Sequence, residues 1–262
     1  MALSLESLVT RKGATKPPRI VIYGRGKMGK TTLASEFPSP IFIQTEEGEG
    51  NNEITTFADE PFKKYAQIEE AIELLYMQDH DFKTVVIDSL TQLEPLVWAH
   101  TCAKHNWQSI EDPGYGKGYV EADVHWRHLL DGLDALRGKG MTVVMIAHEQ
   151  VETFSDPERE DYSRYKMRLH KRAEAMVRER VDVVGFLNMA ISTEKQKKGF
   201  GGETVKAKGS GQRQLNLAPR PTFEAGNRFD MPEKILVNPG QGYAALAPHL
   251  PGQPGGNAAK AA

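Results

Sequence analysis

Before residue 150, short runs of apolar, mostly β-branched residues alternate with stretches of helical period. Ile20-Val21-Ile22-Tyr23 is the first run, Pro40-Ile41-Phe42-Ile43-Gln44-Thr45 the second, Lys83-Thr84-Val85-Val86-Ile87-Asp88-Ser89 the third, and Met141-Thr142-Val143-Val144-Met145-Ile146-Ala147-His148 the fourth. None alternates apolar with polar, which predicts strands buried on both faces. Thr32 to Phe37 reads as helix until Pro38 stops it. Ile68, Ala71, Ile72, Leu74 and Leu75 repeat at helical spacing, as do Ala122, Trp126, Leu129, Leu130, Leu133 and Leu136. Leu90 to Lys104 is a further predicted helix, and Asp112-Pro113-Gly114-Tyr115-Gly116-Lys117-Gly118 a loop. Strand and helix in turn predict an α/β class, a mostly parallel twisted sheet with helices on both faces.

Past residue 150 the pattern changes. Residues 152–166 are polar, 167–180 read as a basic helix, and Val181 to Ile191 as another apolar strand. Lys195 to Gly211 is rich in lysine and glycine, with Lys195, Lys197, Lys198, Lys206 and Lys208 as a basic run. Short strands at 212–217 and 233–237 are expected to pair antiparallel at a sheet edge. The expected organisation is an arm and linker at 1–18, one domain over 19–247, and a disordered Pro/Gly/Ala tail at 248–262.

Length and composition narrow the class. The chain has 262 residues, enough for one α/β domain with a sizeable core. Its net charge of −2 gives no overall pull toward nucleic acid, so such a contact has to come from local clusters. A single cysteine, Cys102, rules out an internal disulfide and fits a reducing compartment. No apolar run reaches transmembrane length and the amino terminus lacks a signal-peptide pattern, so the expected location is cytoplasmic, without membrane contact, in whatever cell makes or hosts the protein. His125 with His128, and His100 with Cys102 and His105, lack the further ligands that a zinc site needs.

The first apolar run leads into Gly24-Arg25-Gly26-Lys27-Met28-Gly29-Lys30-Thr31-Thr32, which fits G-x-x-x-x-G-K-[ST] between a strand and a helix. Glycines let the backbone curl so that successive N–H groups face phosphate oxygens, and the helix start adds its free N–H groups. Lys30 is placed for the β- and γ-phosphates of ATP, and the Thr31 hydroxyl for a magnesium ion. Lys27 adds a charge beside the phosphates. Asp88 ends the third strand where a carboxylate would hold the same magnesium ion, usually through water.

This order of motifs resembles RecA-core ATPases, and most of all the phage-encoded RecA-like ATP-binding proteins of the single-strand-annealing and recombination (Sak) type. The resemblance covers residues 19 to about 240. It implies a RecA-like P-loop fold and ATP hydrolysis. It also implies single-stranded DNA as partner, a homo-oligomeric ring or filament, annealing or strand exchange, and a single-strand-binding protein as a further partner. It carries the water-activating glutamate over to Glu46, with Glu47 next along as a residue that could share the role, and the γ-phosphate sensor to His148, where many relatives have glutamine. Arg228, in Glu224-Ala225-Gly226-Asn227-Arg228, matches a cation sent into a neighbour's ATP site, although only one charge stands where relatives have two. Two loop regions fall where such proteins contact DNA: one with Tyr115, Lys117 and Tyr119, the other, following His148, with Arg164, Lys166 and Arg168. A helicase-loader or ring-motor ATPase is the first competing reading and a small-molecule kinase the second; stimulation of hydrolysis by single-stranded DNA separates the recombination reading from both.

Overall fold

The computed structural model describes residues 16–48, 50, 52–157, 160–198 and 202–251, with backbone alone over 191–198 and 202–210. The expected arm falls mostly outside these residues, as do the side chains of the lysine run.

The four apolar runs form β1 (Arg19–Gly24), β2 (Pro40–Gln44), β3 (Thr84–Asp88) and β4 (Thr142–Phe154). They are joined by α1 (Lys30–Ser35), α2 (Tyr65–Met77), α3 (Leu90–His105) and α4 (Lys117–Gly138). Beyond them come β5 (Tyr162–Met167), α5 (Lys171–Arg180), β6 (Val183–Lys198), β7 (Gly202–Asn216), β8 (Gly226–Asn227), β9 (Lys234–Leu236) and α6 (Gly242–Leu246). Among the described residues the sheet runs β2-β3-β4-β1-β6-β7-β9, with β5 paired to β4 and β8 to β6. The pairs from β2 to β6 are parallel, and β7 and β9 add the expected antiparallel edge.

The pleat decides which side each apolar residue serves. Val21, Tyr23, Ile43, Val85, Ile87, Val143 and Met145 face a layer built from α2, α3, α4 and α5, with Trp126 of α4 at its centre. Ile20, Ile22, Phe42, Val86, Val144 and Ile146 face the opposite layer, where Leu33 and Ala34 of α1 meet Leu246 of α6. Helices therefore cover both faces, as the unbroken apolar runs require.

Two regions differ from expectation. The polar stretch after His148 is not a loop: β4 continues to Phe154 and pairs antiparallel with β5, Glu149 opposite Met167 and Phe154 opposite Tyr162. Val151 and Thr153 face Tyr165 and Ser163 across the pair, so a β-branched and aromatic face supports a hairpin inside a polar sequence. The lysine- and glycine-rich segment likewise forms a long antiparallel pair, β6 with β7. Ala247–His249 make a 3-10 turn and Leu250 is buried, so the packed chain continues past the expected boundary at 248; residues 252–262 lie outside the description. Among the described residues no helix is long and apolar enough to cross a membrane.

Candidate active site

Parallel pairing places the ends of β1, β2, β3 and β4 along one edge: Gly24 lies opposite His148, and Gln44 opposite Asp88. Side chains just past those ends surround a cleft of about 820 Å³. Gly26, Lys27, Gly29, Lys30, Thr31 and Thr32 line it, and so do Glu46, Asp88 and His148. Open parallel sheets bind ligands at this edge.

Lys30 is buried, and its Nζ donates to the carbonyls of Gly24 and Arg25, both at 3.0 Å. Burial lowers its pKa, opposed by the charges of Asp88 and Glu46. Thr31 Oγ1 donates to Asp88 Oδ2 at 2.7 Å. Asp88 is buried, which pushes its carboxyl up to about 6. The fit to a magnesium ion rests on this hydroxyl and carboxylate together, and on Gly48: a methyl group at Gly48 would stand 3.4 Å from Thr31 Oγ1 and 3.6 Å from Asp88 Oδ2. A hydroxyl and a carboxylate oxygen side by side, with no side chain at Gly48 against them, suit a hard cation.

Glu46 follows β2 and is half-buried. Its Oε1 accepts from Ser89 Oγ and lies 2.9 Å from His148 Nε2. Burial alone would raise its pKa, but the bonds from His148 and Ser89 and the charge of Lys30 outweigh that and hold it below the usual range. Glu47 also lines the cleft but is exposed. The geometry thus distinguishes two neighbouring acids that a motif leaves together. His148 reaches Glu46, and its backbone N–H donates to Thr91 Oγ1 at 2.9 Å. Its carbonyl accepts from Arg168 N at 2.8 Å, so the residue where β4 leaves the sheet also ties down the end of β5.

The rest of the loop divides by role. Gly24 and Arg25 contribute carbonyls to Lys30. Met28 packs on the core layer beside α1. Lys27 lines the cleft with a left-handed backbone, φ 62°.

The other expected residues sit elsewhere. Arg228 follows β8, which pairs with Val183 and Val184 of β6, and these pair with Ile20 and Val21 at the opposite end of β1 from the loop. Its Nη1 lies 3.3 Å from Asp182 Oδ1 and its Nη2 donates to the Glu179 carbonyl at 3.0 Å. Within this chain it is therefore outside the cleft.

Of the residues expected at DNA, Tyr115 is fully exposed at 101%, and Lys117 and Arg168 are exposed. Tyr119 is not presented: its ring stacks on His170 at 4.1 Å, meets Trp98 edge-on, and its hydroxyl donates to Glu111. Gly118 is a packing residue, since a side chain there would strike the Ile110 carbonyl, with the carbonyl carbon 2.9 Å away. Arg164 pairs with Glu224 at 2.8 Å, and Lys166 with Glu152 at 2.6 Å and Glu174 at 3.4 Å. The two-residue period of β5 points both side chains inward to acids, so the basic cluster in the sequence is largely neutralised.

Asn52 and Arg213 also line the cleft, and buried Ser89 supports Glu46 behind it; the motifs assigned none of the three a role. Ser89 had a local signal, a hydroxyl directly after the acid of β3. Asn52 Nδ2 donates to Thr32 Oγ1 at 3.2 Å from an irregular segment. Arg213 comes from β7, far along the chain, and has no local signature.

A family model described as "AAA domain" matches residues 16–229. The SPbeta prophage-derived uncharacterized protein YorG of Bacillus subtilis (strain 168) is 24% identical over 136 residues, 49% of this chain and 40% of that protein. The chain thus spans less than half the length of that relative. Among solved structures, the flagellar accessory protein FlaH from Methanocaldococcus jannaschii aligns with TM-score 0.43 and 10% identity, over 86% of this chain and 87% of that one. A KaiC-like protein from Pyrococcus horikoshii OT3 aligns with TM-score 0.40 and 14% identity, over 87% and 88%.

Proposed function

The chain belongs to the AAA domain family, and on that premise we propose that it binds ATP with magnesium in this cleft, hydrolyses it, and couples the cycle to single-stranded DNA in annealing or strand exchange, as a homo-oligomer. One observation carries the ATPase part. Lys30, the Thr31–Asp88 pair and the Glu46–Ser89–His148 cluster, from four different strand ends, converge on one cleft.

In this reading the loop N–H groups and Lys30 hold the phosphates. Thr31 and Asp88 hold the magnesium ion, which when bound neutralises charge on the phosphates. Glu46 stays ionised, fixed by Ser89 and His148, and orients a water through its free oxygen. Burial of Lys30 strengthens its pull on an anion, because the local dielectric is low.

For DNA the support is positional. The hairpins β4–β5 and β6–β7 both leave the sheet at the edge that holds the cleft. Arg168 is exposed at the foot of the first, and Tyr115 offers an aromatic face elsewhere on the surface. The prophage origin of the Bacillus relative fits this use. The test measures ATP hydrolysis with and without a labelled oligonucleotide, and anisotropy of that oligonucleotide across a salt series. Stimulation by single strands over duplex is expected, with binding that weakens as salt rises, and Tyr115→Ala is expected to weaken binding about 10–100-fold. Hydrolysis that DNA leaves unchanged, with no binding at low salt, would favour a protein partner instead.

A further inference from the structure

Besides Lys27 and Lys30 of the loop, the cleft contains a cation whose place has no counterpart in the loop motif. Arg213 lines it, and its guanidinium lies against Gly29. A methyl group built on Gly29 would overlap Nη1, with Cζ 2.8 Å and Nε 3.4 Å away. Gly29 also has φ +90°, in the region that favours glycine. The last glycine of the loop is therefore constrained twice, by its own backbone and by the arginine beside it. The side chain is half-buried. Among the described residues none gives this guanidinium a carboxylate or carbonyl partner, in contrast to Arg19, Arg164, Arg172, Arg178 and Arg180, which all pair with acids.

Topology fixes the flank from which it approaches. Glu46, Asp88 and His148 come from β2, β3 and β4, on one side of β1. β7 lies on the other side, beyond β6. Lys30 stands between, over the loop. A nucleotide whose terminal phosphate faces Glu46 and His148 would thus present its inner phosphates toward Arg213. We propose that Arg213 is a second phosphate-binding residue within the same subunit, gripping the α/β-diphosphate opposite Lys30. The inference rests on the nucleotide reading above and adds to it.

It also gives that grip a mechanical consequence. β6 and β7 pair in register from Phe186–Asn216 to Met189–Arg213, then shift, and resume at Ile191–Gly209. Arg213 is the first residue of β7 in the sheet register, and Gly211, two residues before it, has φ 71°. A diphosphate held by Arg213 pins the root of the β6–β7 hairpin where its pairing with the sheet is interrupted. Nucleotide occupancy then restrains the hairpin by a direct contact.

The test is equilibrium binding of fluorescent ADP, ATP and AMP analogues to the full chain, its Arg213→Gln and Arg213→Lys variants, and Lys30→Ala. Arg213→Gln is expected to weaken ADP and ATP by the same factor, about 10–100-fold, the worth of a hydrogen bond to a charged group. AMP should lose less, and Arg213→Lys should fall between, since it keeps the charge without the planar fork. Hydrogen exchange provides a readout apart from affinity: saturating ADP should protect residues 211–216 in the parent chain and fail to do so in Arg213→Gln. A denaturant midpoint unchanged from the parent shows that the variant is folded; if Arg213→Gln does not fold, Arg213→Lys decides by the same ADP-to-AMP comparison. ADP and ATP affinities within about threefold of the parent would overturn the proposal, and so would a loss confined to ATP, which would make Arg213 a γ-phosphate reader. Failure of the parent chain to bind any nucleotide, or parent-like binding by Lys30→Ala, would defeat the underlying nucleotide reading, in a separate arm.

Discussion

Replacing Glu46 with glutamine isolates one oxygen. In the folded protein Oε1 already receives Ser89 Oγ and faces His148 Nε2 at 2.9 Å. A glutamine carbonyl can accept from both, so the local geometry survives and the charge is lost. Nucleotide affinity should stay within about threefold of the parent. Hydrolysis should fall by about 10²-fold or more, close to 2.7 kcal/mol of barrier. His148→Ala removes a bond to a charged group, worth about 1.5–3 kcal/mol, so it should slow hydrolysis about 10–100-fold. If His148 acts by holding Glu46, the double variant should be no slower than Glu46→Gln, because the two changes remove one unit. Glu47→Gln is the control, since Glu47 is exposed. The assay is single-turnover ATP hydrolysis with protein in excess, with affinity measured in parallel. Glu46→Gln within about threefold of the parent at equal occupancy would refute the reasoning, as would the full loss at Glu47→Gln. Additive losses in the double variant would give His148 a role of its own.

Asp182 is buried and receives Arg19 at 2.9 Å, Arg137 at 3.1 Å and Arg228 at 3.3 Å, so Asp182→Asn should cost about 3–5 kcal/mol in urea unfolding, and a loss under about 1 kcal/mol would show the cations re-paired elsewhere. Arg228→Ala, by contrast, removes a half-exposed partner and should change stability by less than about 1 kcal/mol; if Arg228 serves a neighbour, it should still bind ATP, hydrolyse it poorly, and regain activity when mixed with Lys30→Ala. Absence of rescue in a mixture shown to co-assemble would confine Arg228 to its contacts with Asp182 and Glu179. Glu94 is buried and its carboxyl is pushed up to about 7, chiefly by burial. The folded state therefore holds a proton that the unfolded state releases near the ordinary glutamate value of 4.5, and the parent loses stability as pH rises from that value through about 7, by at most about 3 kcal/mol. Glu94→Gln lacks this term, so its midpoint relative to the parent should rise between pH 5 and pH 8; an equal difference at both pH values would remove Glu94 as the cause.

The α/β class, the loop and its Lys30 and Thr31, and Asp88 at the end of its strand were legible in the sequence because each depends on near neighbours. A strand buried on both faces needs an unbroken apolar run, and the loop needs its glycines and lysine within a few positions. What the charged residues do was not legible, because that depends on what the fold brings beside them. Arg164, Lys166 and Arg168 read as one basic cluster; the pleat of β5 turns the first two onto Glu224, Glu152 and Glu174, while Arg168 lies past the end of the strand and is exposed. Tyr115 and Tyr119 read as a pair of stacking rings, yet α4 begins between them and packs Tyr119 against His170. Glu46 and Glu47 are equivalent as letters, and only Ser89 and His148, from β3 and β4, distinguish them. Arg213 reaches the cleft because β6 lies beside β1 and β7 beside β6. Strand order is a long-range property of the chain, set by how two apolar layers close over one sheet, and no local pattern near Gly29 records it.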